Sequence, residues 1–322
     1  MSPCTYDQGS PAAHVTGCKA ARGDHKNLRE LPHLGIFVLP GGYVDDTGAA
    51  HCEVELSPVT GRVEEYIGSL PGNTTVASGV TGLLVRCVKR IGSIEGITPS
   101  LIASLVVGDR DYIVLRLREL TFGPRVDAMI HCPSPACGKV MDLSFSLGDI
   151  EIERRPLTRR TFRVDVGAFG GESDLLPVEF QLPTGAFQEA ASVLVGTTGA
   201  ATTDRLLSLC VTRVGTVTEV DEITIKSLPL ETRKQIEDAM QRQAPSAEIE
   251  FEAECPECHR EFLFPLDFNK FFLEEMKNNL RSLELEVHFL AKNYHWAESE
   301  ILSMPRKKRQ RYVSLLREEM EL

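Results

Sequence analysis

Residues 126–147, VDAMIHCPSPACGKVMDLSFSL, and residues 248–268, EIEFEAECPECHREFLFPLDF, read alike: a strand, a cysteine pair on a proline-stiffened turn, and a second strand. In each stretch apolar and polar residues alternate, as a half-buried strand requires. Cys132 with Cys137, and Cys255 with Cys258, each present two sulfurs from a tight turn, half of what a tetrahedral zinc ion needs. Gly138, just after Cys137, suits the left-handed backbone such turns adopt. Residues 138–254 put 117 positions between the pairs, where a compact zinc ribbon has about 15–20.

A repeat supplies the reason. Leu83, Leu84, Cys87, Val88, Arg90, Gly92, Ser104, Leu105, Arg110, Ile113 and Cys132 recur 123 positions later as Leu206, Leu207, Cys210, Val211, Arg213, Gly215, Ser227, Leu228, Arg233, Ile236 and Cys255. Upstream the offset is 124, matching Val54, Glu55, Thr60, Gly61, Glu65 and Leu70 to Val178, Glu179, Thr184, Gly185, Glu189 and Leu194. Two copies packed about a pseudo-twofold axis would bring their terminal hairpins together, and the pairs would close one Cys4 zinc site. Unligated thiols or local disulfides are the competing reading of each pair.

The expected architecture is α+β: two duplicated lobes, each of hairpin, helices, strand and cysteine knuckle, sharing a zinc-ribbon-like site, plus a helical C-terminal tail. The boundaries are residues 1–33 as a polar, disordered tail, 34–155 and 156–267 as the lobes, and 268–322 as three helices. Within the lobes, hairpins precede Thr60-Gly61 and Thr184-Gly185, each followed by a short amphipathic helix. Stretches 72–82 (GNTTVASGVTG) and 196–204 (GTTGAATTD) read as linkers, and Asp109 as the cap of the helix DYIVLRLREL. In the tail, Phe268, Phe271, Phe272, Met276, Leu283, Val287, Leu290 and Tyr294 space out one long amphipathic helix.

Composition excludes several classes. The chain has 322 residues, 42% hydrophobic and 25% charged, and acidic residues outnumber basic ones 46 to 35 for a net charge of −11. That balance makes nucleic acid an unlikely partner and points to proteins. No apolar run reaches membrane-spanning length and no signal pattern opens the chain, so the cytoplasm is the expected location. There the paired cysteines read as metal ligands before disulfides, while Cys87 and Cys210, in apolar helical contexts, read as buried thiols. His51 and Cys52, adjacent in a strand, point to opposite faces and cannot form a dyad. Common nucleotide, phosphate-loop, metalloprotease and hydrolase signatures are absent, and no enzyme is expected.

Arg306, Lys307, Lys308, Arg309 and Arg311 form a basic cluster on the last helix. It admits three readings: a DNA recognition helix, a solvated face balanced by nearby glutamates, or a docking surface for an acidic protein.

Four stretches together resemble a known family: 39–67, LPGGYVDDTGAAHCEVELSPVTGRVEEYI; 109–138, DRDYIVLRLRELTFGPRVDAMIHCPSPACG; 255–268, CPECHREFLFPLDF; and 283–316, LELEVHFLAKNYHWAESEILSMPRKKRQRYVSLL. They are similar to the T4-type phage baseplate hub assembly chaperones, nearest to relatives in contractile injection systems. The pattern of Glu286, Val287, His288, Leu290, Ala291, Tyr294 and Trp296 and the two knuckles carry most of the likeness. The resemblance implies a non-enzymatic assembly factor or component of the baseplate in a bacterial host cell, with hub, spike or other baseplate proteins as partners. Retention in the finished particle stays open. On this reading Cys132, Cys137, Cys255 and Cys258 hold one structural zinc per chain, and Phe271, Phe272, His288, Tyr294, Trp296 and the basic cluster are candidates for the partner surface. The alternative is a zinc-ribbon, helix-turn-helix DNA-binding regulator. The four residues between Cys132 and Cys137, against two between Cys255 and Cys258, depart from the usual spacing and predict unequal turns.

Overall fold

Asp45 turns the first hairpin: its Oδ1 accepts the N–H groups of Thr47 at 2.8 Å and Ala49 at 2.9 Å, and Gly48 takes φ +85°. The computed structural model describes residues 35–167, 175–192, 199–247 and 250–321. The hairpin joins β1 (Ile36–Val44) to β2 (Ala50–Leu56), and β3 (Val88–Ile91) completes an antiparallel sheet in the order β1-β2-β3. Between β2 and β3 run α1 (Gly61–Gly68) and α2 (Val76–Cys87). After β3 come α3 (Pro99–Ser104), α4 (Val107–Phe122) and a two-stranded ribbon, β4 (Arg125–His131) with β5 (Val140–Ser146).

The same order of elements then recurs. β6 (Thr161–Gly167), β7 (Leu175–Gln181) and β8 (Val211–Val214) form a second three-stranded sheet, with α5 (Gly185–Ser192) and α6 (Gly199–Cys210) between β7 and β8. There follow α7 (Glu222–Ser227), α8 (Leu230–Gln243) and a second ribbon, β9 (Glu250–Glu254) with β10 (Glu261–Pro265). Registers agree in detail: Glu55 faces Arg90 and Glu179 faces Arg213, with an irregularity just after each glutamate. Gly92 and Gly215, at φ +55° and +58°, turn the chain after β3 and β8.

Stretch 72–82 is the expected linker only as far as Thr75, because α2 already begins at Val76. Thr75 Oγ1 caps Ser78 N at 3.2 Å, and Val80, Leu83, Leu84 and Cys87 bury one helical face. Gly79 and Gly82 serve close packing, since a Cβ would lie 3.0 Å from Leu273 Cδ1 at the first and 2.3 Å from the Tyr66 hydroxyl at the second. The second such stretch is likewise helical from Gly199 onward. Nor does Asp109 cap α4: the helix starts at Val107, and Asp109 is buried in its first turn, where Oδ1 accepts Gly41 N at 2.7 Å.

Three cores organise these elements. The first takes in β1–β3, α1, α2, α4 and, together, both ribbons. The second gathers Leu157 and residues of β6–β8, α6, α7 and α8. β9–β10 thus packs with the first core, not with the sheet that precedes it in sequence. The expected long tail helix is broken at Asn279 into α9 (Phe268–Asn278) and α10 (Leu280–Tyr294), because the Asn279 amide donates to Glu275 O at 2.7 Å and its oxygen takes an Arg306 N–H. α9 buries Phe268, Phe272, Leu273 and Met276 in the first core. α10, α11 (Glu298–Ser303) and α12 (Arg306–Glu321) enclose the third core around Leu290, Ile301, Val313 and Leu316. Four helices therefore stand where three were expected. The polar stretch 1–33, the loop 168–174 and the start of the 196–204 linker lie outside the described residues.

Candidate metal centre

The two ribbons meet through their apolar faces. Val126, Ile130, Met141 and Leu143 of one and Phe251 and Ala253 of the other are buried, and the Phe145 and Phe251 rings approach to 4.5 Å. Period-two alternation sends the opposite faces, including Asp127, Asp142, Glu252 and Glu254, to solvent. This packing brings the knuckles together at one end.

Each knuckle is closed by backbone hydrogen bonds. Cys132 N donates to Lys139 O at 2.9 Å, and Cys255 N donates to Arg260 O at 3.0 Å. The residue after the second cysteine is left-handed in both, Gly138 at φ +59° and His259 at +54°. The turns differ as the spacing predicts: Cys137 N and Gly138 N both reach back to Ser134 O, whereas His259 N reaches Cys255 O.

Sulfurs pair across the ribbons. Cys132 Sγ lies 3.7 Å from Cys258 Sγ, and Cys137 Sγ lies 3.7 Å from Cys255 Sγ. All four sulfurs lie within 4.8 Å of one another. Zinc–sulfur bonds of about 2.3 Å set the edge of a tetrahedron at about 3.8 Å, so the cross pairs are spaced as ligands of one ion and far beyond a disulfide bond of about 2 Å. The four cysteines are thus able to hold a metal ion such as zinc.

Backbone groups favour thiolates here. The N–H of Cys258, then that of Glu257, brings the Cys255 thiol down to about 7 against the opposing effect of burial. Cys137, although the Lys139 N–H acts the other way, is pushed up to about 12 by burial and by the sulfurs of Cys255, Cys258 and Cys132. Four crowded thiols cannot all ionise unless a cation compensates them, and a soft divalent ion does so. His259 is exposed, and its Nδ1 lies 3.1 Å from Glu254 Oε1, so it turns away from the cluster.

Other singled-out residues are dispersed. Cys87 and Cys210 are buried, each thiol pushed up to about 12 by burial. His51 is buried against Asp45, with Nε2 3.1 Å from Oδ2. Of the expected partner-surface residues, Phe272 is wholly inside the first core and Phe271 half-buried against it. Tyr294 and Trp296 stack at 4.5 Å and pack on Tyr312, which makes them part of the third core. His288 is exposed on α10.

The basic run divides by helical period. Arg309 is wholly buried: its guanidinium binds Glu64 and, at 3.1 Å through Nε, Glu286. Arg306 is buried too, 3.3 Å from Glu64. Only Lys307, Lys308 and Arg311 are exposed. Phe272, Arg306 and Arg309 are therefore corrected from surface to interior, and a DNA recognition helix loses two of its cations to buried ion pairs. Composition concealed this, but spacing carried the signal: Arg306, Arg309, Val313 and Leu316 continue one apolar stripe back into the basic run.

No helix of the described residues is long and apolar enough to cross a membrane. A family model described as T4 bacteriophage base plate protein matches residues 73–273, which is 201 of the 322 positions and includes all four clustered cysteines. No curated protein and no solved structure matches the chain.

Proposed function

This chain belongs to the T4 bacteriophage base plate protein family, and we propose that it is a non-enzymatic assembly factor, or a component, of the baseplate in a phage-tail-like contractile injection system. It acts by protein–protein binding. The observation that carries the reading is the four-sulfur cluster inside the matched region, which ties together two segments far apart in sequence.

Cys132, Cys137, Cys255 and Cys258 would hold one zinc ion per chain. Four thiolates fill a tetrahedral ion, so the metal's part would be to fix structure and not to activate water. Its place between the ribbons supports a two-lobed platform derived by duplication, with the recurring order of elements as the other support. Hub, spike or other baseplate proteins are the proposed partners.

Deleting the gene in a strain that makes particles, followed by imaging, tests the role. The expected outcome is missing or incomplete baseplates with unanchored sheath, restored by the wild-type gene; normal particles would refute it. Elemental analysis tests the metal, with one zinc per chain expected and none, or two, contradicting the assignment.

A further inference from the structure

The last two helices repeat a unit already present twice. Ile102, Ser104, Leu105, Val106 and Arg110 correspond to Ile225, Ser227, Leu228, Pro229 and Arg233, and 76 positions later to Ile301, Ser303, Met304, Pro305 and Arg309. Each copy has a six-residue helix, α3, α7 or α11, then a two-residue turn, then a helix of 14 to 16 residues, α4, α8 or α12. The first turn residue is extended in all three (ψ 142°, 142° and 141° at Leu105, Leu228 and Met304), and its N–H bonds the carbonyl of a wholly buried isoleucine.

In the first and third units that turn holds the start of another helix. Thr184 bridges Val106, Gly185 N donates to Leu105 O at 3.1 Å, and α5 packs on α2 and α3. Thr60 likewise bridges Pro305, Gly61 N reaches Met304 O at 3.4 Å, and α1 packs on α10 and α11. Glycine is needed for this approach: a Cβ at Gly185 would meet the Arg110 guanidinium at 2.2 Å, and one at Gly61 would meet Leu302 Cα at 3.0 Å. Both incoming helices bring a glutamate to the unit's arginine. Glu64 binds Arg309, and Glu189 accepts from Thr81 Oγ1, which is 3.0 Å from Arg110 Nη2.

On the turn of the second unit no such helix sits among the described residues. Among the described residues no backbone N–H outside its helices donates to Leu228 O, and no bridge forms at Pro229. Ile223 and Leu230, beside the turn, are 77% and 74% exposed. Arg233 binds Asp204 at 2.6 Å through Nη1, while its buried Nε has no hydrogen-bond partner.

We infer that the turn Leu228-Pro229, flanked by Ile223, Leu230 and Arg233, is a docking slot for a partner protein. The occupant is a helix that begins with an extended residue and a glycine and carries a glutamate three or four residues further on. Thr60-Gly61 and Thr184-Gly185 are already engaged at the other two turns, so the helix that fits this slot is neither α1 nor α5. Covering two exposed aliphatic side chains and offering a carboxylate to Arg233 drive the docking.

A labelled peptide of residues 181–192, QLPTGAFQEAAS, is the probe, titrated into the full chain carrying a photo-crosslinking side chain in place of Leu230. Saturable binding is expected, with crosslinks at position 230. Affinity should fall about tenfold, roughly 1.4 kcal/mol, with Gly185→Val in the peptide or Ile223→Asp in a chain that keeps its metal and its native circular dichroism. No saturable binding, equal binding of the Gly185→Val peptide, or saturable binding without crosslinks from position 230 would overturn the inference. A crosslinked dimer of the chain alone would also overturn it, assigning the slot to a second copy. Because the readout needs neither particle nor metal, its failure would leave the baseplate assignment standing.

Discussion

Asp109 carries a carboxyl where the fold offers little solvation. Burial pushes it up to about 7 against the N–H groups of Gly41 and Gly42, and its Oδ2 has no hydrogen-bond partner. A folded-state value above the ordinary 3.8 means that the native chain holds a proton the unfolded chain has released. Stability contributed at this position is therefore greatest below about pH 4 and falls as pH rises to about 7, by a few kcal/mol at most. Asp109→Asn keeps an oxygen for Gly41 N and removes the charge. Urea midpoints should show the variant at least as stable as wild type at pH 8 and a flatter curve between pH 4 and 7; parallel curves would refute this. For the cysteines the direction is loss: Cys132→Ser or Cys255→Ser should abolish metal binding and cooperative folding, read by zinc content and circular dichroism. These four residues were legible in sequence because cysteine spacing is itself chemistry. Asp109 was misread as a cap, because a helix-start signal cannot tell that the preceding turn already belongs to the helix.

At the scale of elements, α12 is held to α1 and α10 by Arg309 between Glu64 and Glu286. Removing the cation alone strands buried carboxylates, so Arg309→Ala should cost about 3–5 kcal/mol in chemical denaturation. Reversing Lys307, Lys308 and Arg311, exposed on the same helix, should each change stability by less than about 0.5 kcal/mol. Equal effects from both sets would mean that α12 does not dock as described. Hairpins and the alternating ribbons were readable from turn chemistry and period. The break at Asn279 was not, since Phe268 to Tyr294 keeps a helical period across it, and only a side-chain amide and a tertiary arginine decide that the helix ends there.

For the molecule as a whole, the ribbons link the part of the chain before residue 150 to the part after 250, and the proposed zinc would lock that link. Chelation should first expose amides in β4–β5 and β9–β10 to hydrogen exchange, while α2 and α6, whose Leu83, Leu84, Leu207 and Cys210 are buried in separate cores, keep their protection. Uniform loss of protection everywhere would refute a local role. By itself the sequence determined most of the elements and their recurrence, the two cysteine pairs and the acidic balance, because period, turn residues and thiol spacing are properties of neighbouring residues. Only the tertiary structure decided that the second ribbon joins the first core, that Arg306 and Arg309 lie inside, and that the tail forms a third unit packed on α1. Those outcomes depend on which faces bury each other, and burial free energy is shared between segments hundreds of positions apart, so a local pattern such as the stripe through Arg306 and Arg309 hints at burial without deciding it.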